Sequence, residues 1–246
     1  LTFGVSDEDA FAVGLACGGT IRVLVEPVGA VIPQAMLEDL VTCRTERRPV
    51  AYVTDLDGES GRRLVTEGWP ERFRMDRSGV EPDGRTFVAI HNPPLRLIVV
   101  GAVHIAQALV PMARMTGYDP VLIDPREAFG SEARFPGERI LHDWPDAAVS
   151  ALGLDMRTAL VLLTHDPKLD DPALAQALRS PAFYIGALGS TRTHAKRVAR
   201  LTEAGFTELE IARIHAPVGL DIGAAGPAEI AVAILAEMTR VLRQGA

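Results

Sequence analysis

The sequence predicts an α/β protein in which a smaller α+β domain, residues 1–93, precedes a doubly wound parallel sheet in residues 94–246. Three observations lead to this prediction. In the second part, short and almost purely apolar segments alternate with helical segments, as in parallel sheets covered on both faces. The first part instead contains strands of alternating polarity, which is typical of sheets with one buried face. The residues "NPP", Asn92–Pro94, interrupt both patterns and predict a linker.

The elements of the first domain each have a local basis in the sequence. Ser6, with Asp9 three residues later, is typical of the start of a helix, here within residues 4–15. Residues 20–27 alternate as a strand, with Ile21, Val23 and Val25 on one face. The remaining elements are a helix over residues 33–44 with an apolar stripe of Leu37, Leu40 and Val41, two strands joined by a turn around residues 57–61, and a strand that begins at Arg85.

Five apolar segments of the second domain predict the strands of the parallel sheet. They are Leu95–Val100, Pro120–Ile123, Arg139–Leu141, Thr158–Thr164 and Ala182–Ile185. A final helix is expected over Pro227–Arg243, because proline is favoured in the first turn of a helix. Strands that alternate with helices in this way are typical of a Rossmann-like sheet.

Composition and charge narrow the choice of function. The 246 residues carry a formal net charge of −7, which argues against nucleic acid as a partner. Cys17 and Cys43 are the only cysteines, so the chain has no disulfide framework and we expect a reduced, cytoplasmic setting. The longest apolar runs are far shorter than a membrane span. The chain enters structure at Leu1, and we expect that part of the natural protein precedes it.

The turn after the first parallel strand resembles an incomplete dinucleotide-binding fingerprint. Gly101 and Ala106 fit its first and third positions, but Val103 stands where the second glycine lets a pyrophosphate approach the backbone. Asp124 ends the next strand, where an acidic residue would hold a ribose hydroxyl. The alternative is that Gly101 only makes the turn and Asp124 only begins a loop. The sequence leaves both interpretations open.

Polar residues gather where the parallel strands end. In doubly wound sheets, ligands bind in the crevice outside the carboxyl ends of the strands, so we expect these loops to converge on one site. A histidine there can act as an acid, a base or a metal ligand, but a lone histidine is more often structural, and no metal-binding spacing occurs. The candidate residues outside the Gly186–Arg197 segment are Asp124, Arg126, His165, Asp166, His215 and Asp221.

The segment "GALGSTRTHAKR", Gly186–Arg197, is the most specific of these loops. Gly186 and Gly189 are expected to expose backbone N–H groups, and either Ser190 or Thr191 is expected to cap the helix that follows. Helix N-termini attract anions, and Arg192 and Lys196 lie four residues apart on one helix face. A phosphate suits this place. The alternative is a well-capped surface helix with solvated basic residues.

The segment "LACGGT" places Cys17 beside Gly18 and Gly19, at a junction between a helix and a strand. A thiolate that a partner can reach is able to bind a soft metal or to carry sulfur. The alternative is that Cys17 is a small buried hydrophobic residue, which is common for free cysteine. For Cys43, near the end of an amphipathic helix, the buried interpretation is preferred.

Taken together, these motifs resemble the XdhC/CoxI family. The resemblance runs in order over nearly the whole chain. It is carried by "GLACGGTIRVLVEP", "LIVVGAVHIAQAL", "LLTHDPKLDDPAL", "YIGALGSTRTHAKRVARL" and "IHAPVGLDIGAAGPAEIAVAILAEM". Members of this family are accessory proteins of molybdenum hydroxylases such as xanthine dehydrogenase and carbon monoxide dehydrogenase.

The resemblance implies a role in maturation of the molybdenum cofactor (molybdopterin). Such a protein holds the cofactor, protects it while a sulfido ligand is installed, and passes it to the hydroxylase apoenzyme. The implied partners are that apoenzyme, a cysteine desulfurase and a second copy of the chain in a homodimer. The family motif places its cysteine at Cys17, as cofactor and metal contact, with Gly18 and Gly19 beside it.

Two departures from the family pattern affect these expectations. The family commonly has "GAGH" where this chain has "GAVH", Gly101–His104, which weakens a nucleotide role for the turn and for His104. The family also usually begins earlier, with a second glycine–cysteine motif, so part of a cofactor pocket is expected outside this sequence. We expect the cofactor phosphate at Gly186–Gly189 near Arg192 and Lys196, and the metal end at Cys17.

Three functional hypotheses follow from the sequence. The leading one is a cofactor-handling chaperone without turnover of its own. The second is an NAD(P)-dependent oxidoreductase that uses the Gly101 turn, against which Val103 argues. The third is an interaction scaffold, against which the density of polar residues at the strand ends argues.

Overall fold

The computed structural model describes residues 1–58 and 61–245. The chain divides into two compact units, an amino-terminal unit of residues 1–92 and a carboxy-terminal unit of residues 93–246. The two units are described separately below. None of the described helices is both long enough and apolar enough to cross a membrane.

The amino-terminal unit begins with a two-stranded antiparallel ribbon. Strands β1 (Thr2–Val5) and β2 (Gly19–Arg22) pair with each other, and helix α1 (Asp7–Ala12) connects them. The helix begins where the sequence predicts, because the Ser6 hydroxyl accepts a hydrogen bond from the Asp9 N–H at 3.2 Å. Strand β2 is shorter than predicted, and β1 was not predicted from the sequence.

A four-stranded antiparallel sheet forms the rest of this unit, in the order β4-β3-β6-β5. Its small core is built around Ala51, Val53 and Val88. Residues 59 and 60 of the predicted turn lie outside the described residues. The elements are α2 (Gln34–Thr45), β3 (Val50–Asp55), β4 (Arg63–Val65), α3 (Pro70–Met75), β5 (Gly79–Val80) and β6 (Thr86–His91).

Helix α2 does not bury the apolar stripe that the sequence predicts. Leu37 and Val41 are exposed, whereas Cys43 is buried. The helix contacts β3 and β4, and Cys43 faces a different side of the helix from Val41 because two residues span about 200° of turn. The preference for a buried Cys43 is therefore confirmed, and the predicted stripe is wrong.

The carboxy-terminal unit contains a six-stranded parallel sheet, which confirms the predicted fold class. The strand order is β12-β11-β10-β7-β8-β9. The chain moves outward from β7 in one direction and then returns to its other side, so the sheet has a switch point between β7 and β10. The strands are β7 (Leu95–Val100), β8 (Tyr118–Ile123), β9 (Arg139–Leu141), β10 (Thr158–Leu162), β11 (Tyr184–Ala187) and β12 (Ile214–His215).

Helices cover both faces of this sheet. One core lies under α4 and α9, and a second lies under α5, α6 and α7. Alternate residues of β7 serve the two cores, since Leu97 and Val99 belong to the first while Ile98 and Val100 belong to the second. The helices are α4 (His104–Met115), α5 (Pro145–Leu152), α6 (Pro167–Leu178), α7 (Thr191–Glu203), α8 (Glu208–Ile211) and α9 (Pro227–Gln244).

The observed strands differ in detail from the predicted ones. Strand β8 begins at Tyr118, two residues before its predicted start. Strand β10 ends at Leu162, two residues before its predicted end, and β11 lies two residues later than predicted. Strand β12 was not predicted, because it has only two residues and a proline follows soon after. These shifts decide which residues belong to strands and which to the loops at the strand ends.

The turn after β7 requires a glycine. Gly101 has a φ of +107°, which side-chain-bearing residues rarely adopt. A Cβ at this position would also lie 2.7 Å from Cγ2 of Thr164, in the loop after β10. The two loops on either side of the switch point are therefore in close contact.

We expect Gly101→Ala to lower the free energy of unfolding by about 3 kcal/mol, because it adds a steric clash to backbone strain. Gly117→Ala is the matched control: its φ is +87°, but a Cβ there would meet open space, so strain alone costs about 1 kcal/mol. Urea unfolding of both variants measures the difference. Equal losses would contradict the close contact between Gly101 and Thr164.

Candidate functional site

The candidate site is the edge of the parallel sheet where β7, β8, β10 and β11 end. We call the loop residues there, 101–103, 124–126, 163–166 and 188–190, the rim. The strands position these loops by parallel pairing on both sides of the switch point. The rim therefore occupies the place where doubly wound sheets bind their ligands.

Asp124 anchors the first part of the rim. Its carboxylate is fully buried, at 0% exposure, and Oδ2 accepts a hydrogen bond from the Ala102 N–H at 2.9 Å. Arg126 donates to both carboxylate oxygens, from Nε to Oδ1 and from Nη2 to Oδ2, each at 2.8 Å. This arrangement differs from the ribose contact suggested by the fingerprint, because both oxygens are engaged and none of the residue reaches solvent. Asp124 is a positioning group for the turn.

The ionisation of Asp124 follows from the same contacts. Burial alone would raise the pKa of this carboxyl, but the hydrogen bonds from Arg126 and from the Ala102 N–H lower it below its ordinary value. The carboxylate therefore stays charged and keeps both partners in place.

Arg126 presents a cation at the rim. Its guanidinium carbon lies 4.0 Å from the centre of the Phe129 ring, and 38% of its side chain is exposed. The hydrogen bond to Asp124 raises the pKa of Arg126, and the charges of Asp166 and Asp170 add to this effect. The loops after β8 and β10 therefore approach each other. Arg134, which the sequence did not single out, donates from Nη1 to the Ala102 carbonyl at 2.8 Å.

The side chain of Val103 does not lie in the space that a pyrophosphate would occupy, as we expected it to. It is the N-cap residue of α4, with no side-chain cap hydrogen bond, and it packs against the core beneath α4 and α9. The valine therefore does not by itself close the start of α4 to an anion. His104, the first helical residue, is exposed.

The loop after β10 contains a strained residue. His165 is exposed and has a φ of +62°, in the left-handed region that disfavours residues with a side chain. Asp166 is the N-cap of α6 and accepts a hydrogen bond from the Lys168 N–H at 2.9 Å. Backbone strain of this kind is often found at ligand-binding positions, which keeps His165 a candidate and gives Asp166 a structural role.

The loop after β11 agrees with only part of the expectation. Gly186 lies inside β11, and a Cβ there would be 2.6 Å from Cγ2 of Val218, so this glycine serves packing rather than ligand contact. Gly189 has a φ of +134° and precedes the helix, and Ser190 caps α7 by accepting from the Thr193 N–H at 3.2 Å. The predicted cap is therefore confirmed.

Arg192 and Lys196 lie in the first two turns of α7. Both are exposed, and within residues 1–58 and 61–245 neither side chain has a hydrogen bond or an ion pair. They add two positive charges near the start of α7, where the helix dipole also favours an anion.

A buried ion pair beneath the rim was missed by the sequence analysis. Arg197 is 2% exposed, donates from Nη2 to the Leu188 carbonyl at 3.1 Å, and lies 3.8 Å from Oδ2 of Asp170. Asp170 accepts at Oδ1 from the Thr164 hydroxyl at 2.6 Å. Burial raises the pKa of Asp170 and lowers that of Arg197. The pair links the loop after β10 to the loop after β11.

His215 belongs to a different network from the one we expected. Its Nδ1 lies 3.3 Å from Oε1 of Glu237 on α9, and its ring stacks on Tyr184 with 4.6 Å between centroids. Asp221 is exposed in the loop between β12 and α9. Within the described residues, no hydrogen bond joins the His215 network to the rim. His215 nevertheless ends a strand parallel to β11, beside Gly186, so the convergence of its loop with the rim stays a prediction.

Cys17 belongs to the amino-terminal unit, where it is free and exposed. The interpretation that it is a buried hydrophobic residue is therefore wrong. Gly18 donates its N–H to Oδ1 of Asp7 at 2.7 Å, and a Cβ at Gly18 would lie 2.4 Å from the Val5 carbonyl oxygen. The position after Cys17 thus requires a glycine, and Gly19 begins β2.

Across the part of the chain that the structure describes, no group of three or more His, Cys, Asp or Glu residues is arranged to hold a metal ion. Neither Cys17 nor the rim histidine has such neighbours.

Comparison with known proteins decides the family. The family model of the XdhC Rossmann domain matches residues 97–238, which is more than half of the chain. The chain belongs to the XdhC family. This confirms the family that the motifs predicted.

Two relatives show the extent of the similarity. The chain is 33% identical over 194 residues to the uncharacterized protein YqeB of Escherichia coli, covering 74% of this chain and 36% of YqeB. It is 32% identical over 232 residues to the molybdenum cofactor insertion chaperone PaoD of Escherichia coli, covering 94% of this chain and 62% of PaoD. The chain thus spans less than two thirds of either relative.

A solved structure supports the fold across the full chain. A crystal structure of a xanthine dehydrogenase from Bacillus halodurans is 25% identical, with a TM-score of 0.67. The match covers 100% of this XdhC-family chain and 76% of the other chain.

We expect Asp124→Asn to lower the free energy of unfolding at neutral pH by about 3 kcal/mol, because Arg126 loses its buried partner. Since the native contacts lower the pKa of Asp124, its stabilising contribution is present above the ordinary pKa and is lost as the pH falls through the lowered value. The gap between variant and wild type should therefore shrink as the pH falls below the ordinary pKa of aspartate, about 3.9. Urea unfolding across this pH range measures it.

Asp119→Asn is the control, because Asp119 is an exposed aspartate on the same strand, β8. Its effect should stay within about 0.5 kcal/mol at every pH. A loss at Asp124 that is the same at neutral and acid pH would contradict the role of its charge.

Proposed function

We propose that this XdhC-family protein binds the molybdenum cofactor and assists its sulfuration and its insertion into a molybdenum hydroxylase such as xanthine dehydrogenase. The observation that carries the proposal is the 32% identity, over 94% of the chain, to a protein named as a molybdenum cofactor insertion chaperone. The second part of the support is a rim whose chemistry suits the anionic end of that cofactor.

The phosphate of the cofactor suits the start of α7. The Ser190 cap and the positive φ of Gly189 hold the backbone in a conformation in which helix N–H groups can face an anion. The exposed side chains of Arg192 and Lys196 supply positive charge close by. Arg126 adds a third cation at the loop after β8, on the far side of the loops after β10 and β7, and it is held in place by Asp124. In this proposal the rim binds the phosphate and orients the rest of the group.

The metal end of the cofactor needs few ligands from the protein. Molybdenum is held by the dithiolene sulfurs of the pterin, and when bound it supplies oxygen- and sulfur-transfer chemistry. A cluster of protein ligands is then not required, which suits the described residues. The proposal assigns the soft sulfur contact to Cys17, because it is a free and exposed thiol beside two glycines.

The partners in this proposal follow from the chemistry of sulfuration and insertion. A cysteine desulfurase would supply the sulfur, and the hydroxylase apoenzyme would receive the finished cofactor. A homodimer is proposed as the working form. The chain itself acts as a binding protein: it holds the anionic group, limits the access of water to it, and releases it to the apoenzyme.

An NAD(P)-dependent oxidoreductase remains the second candidate, because the N-cap residue of α4, Val103, makes no side-chain cap hydrogen bond that would compete with an anion. The engaged and buried Asp124 argues against it, since a dinucleotide ribose would find no free carboxylate there.

Thermal unfolding with added ligands separates the two candidates. A ligand at about 100 times its dissociation constant stabilises the folded state by about 2.7 kcal/mol. We expect the molybdenum cofactor to raise the unfolding midpoint and NAD(P) and ADP to leave it unchanged. The double variant Arg192→Gln, Lys196→Gln should lose most of the shift. A shift with NAD(P) alone would favour the oxidoreductase and contradict the chaperone.

We expect Cys17→Ser to reduce the molybdenum cofactor that copurifies with the protein from a molybdenum-competent host by about tenfold, because oxygen is a poorer ligand than sulfur for a soft metal. Mass spectrometry and a molybdenum assay of the purified protein measure the loss. Cys43→Ala is the matched control, because it removes a buried thiol from the same unit. Unchanged retention in Cys17→Ser would remove that residue from the site.

A further inference from the structure

The carboxy-terminal unit contains a cavity that the proposed function does not use. Its volume is 470 Å³, within the range of small-molecule sites. Ala182 and Phe183, which line it, precede β11, whereas the rim follows the other end of that strand. The cavity is therefore distinct from the rim. Its principal walls are Phe183, Leu209, Arg213, His215, Arg240 and Val241.

The charged residues among the described ones that line the cavity are basic. Arg213 donates from Nη1 to the Leu178 carbonyl at 2.8 Å and from Nη2 to the Ala182 carbonyl at 2.9 Å. These carbonyls fix the guanidinium but do not neutralise it. Glu210 lies within the electrostatic reach of Arg213, but its carboxylate is committed to the N-cap of α8, where it accepts from the Thr207 N–H and hydroxyl.

A buried carboxylate behind the cavity orients its histidine. Oε2 of Glu237 accepts from the Tyr184 hydroxyl at 2.6 Å and from the Gly219 N–H at 2.9 Å, and Oε1 faces Nδ1 of His215 at 3.3 Å. Stacking on Tyr184 fixes the plane of the His215 ring. These two contacts fix the position of the His215 ring in the cavity wall.

Arg240 is only loosely held by the same carboxylate. Its Nη2 lies 3.5 Å from Oε1 of Glu237, and half of its side chain is exposed. The guanidinium can therefore turn toward a ligand at little cost. Arg213 and Arg240 carry two positive charges against the one negative charge of Glu237, so a single carboxylate would balance the group.

The remaining walls are apolar. Phe183 and Val241 line the cavity, and Leu209 stands beside it with 85% of its surface exposed. Covering this leucine with an apolar ligand would remove hydrophobic surface from water. The cavity thus combines a place for one carboxylate with a place for a ring or a branched chain.

We propose that this cavity is a second binding site, which takes a small organic acid with one carboxylate and an apolar body. The carboxylate lies against Arg240, and the body lies against Phe183, Leu209 and Val241. The site does not depend on the cofactor role proposed for the rim.

The test uses the full chain and 2-naphthoate as the probe, followed by isothermal titration calorimetry. We expect saturable binding at one site, with the neutral isostere 2-naphthamide at least tenfold weaker. Arg240→Gln should weaken 2-naphthoate by about tenfold. Arg243→Gln, the same change three residues along α9 and outside the cavity wall, should leave the affinity within twofold.

A second variant tests the cavity by volume rather than by charge. Ala212 lines the cavity and is exposed, so Ala212→Phe fills the space without removing a basic residue. It should weaken 2-naphthoate and 2-naphthamide alike, while circular dichroism shows an unchanged fold. The proposal is overturned if 2-naphthoate fails to saturate wild-type protein at millimolar concentration, or if Arg240→Gln and Ala212→Phe bind it as the wild type does.

Discussion

The rim depends on one buried carboxylate. Asp124 holds the turn after β7 through the Ala102 N–H and holds Arg126 through two further hydrogen bonds. A charge with no exposure is tolerated only because all these donors are present. The turn, the cation at the rim and the approach to the loop after β10 therefore share one electrostatic anchor. Asp124, at the position where a dinucleotide-binding fold holds the ribose, therefore holds the turn in place.

A second set of polar contacts connects the loops on the two sides of the switch point. Thr164 packs against Gly101 and donates to Asp170, and Asp170 lies beside Arg197, which donates to the Leu188 carbonyl. Three loops from three strands are thus fixed by contacts below the surface. The exposed basic side chains of α7 lie next to these fixed loops. A cofactor-binding protein of the proposed kind benefits, because less ordering is needed when the ligand arrives.

The sequence predicted the architecture better than the site. Purely apolar strands such as β7 need cover on both faces, so the parallel sheet followed from local pattern alone. The helix caps at Ser6 and Ser190 were also predictable, because capping involves neighbours in the chain. The burial of Arg197 and Glu237 could not be predicted, because their partners are distant in sequence. No local pattern distinguishes a buried charge from a solvated one. Gly186 was expected to face a ligand, because its contact with Val218 is also distant in sequence and leaves no local pattern.

The alternation along β7 has a consequence for how the protein tolerates change. One strand of six residues contributes side chains to the hydrophobic layers on both sides of the sheet. A helix such as α5 borders a single layer, so a poor substitution there can be absorbed locally. A poor substitution in β7 disturbs both layers at once, and a repair in either one leaves the other damaged. Sequence drift among relatives should therefore be slower along strands that serve both layers, such as β7, than along a helix such as α5.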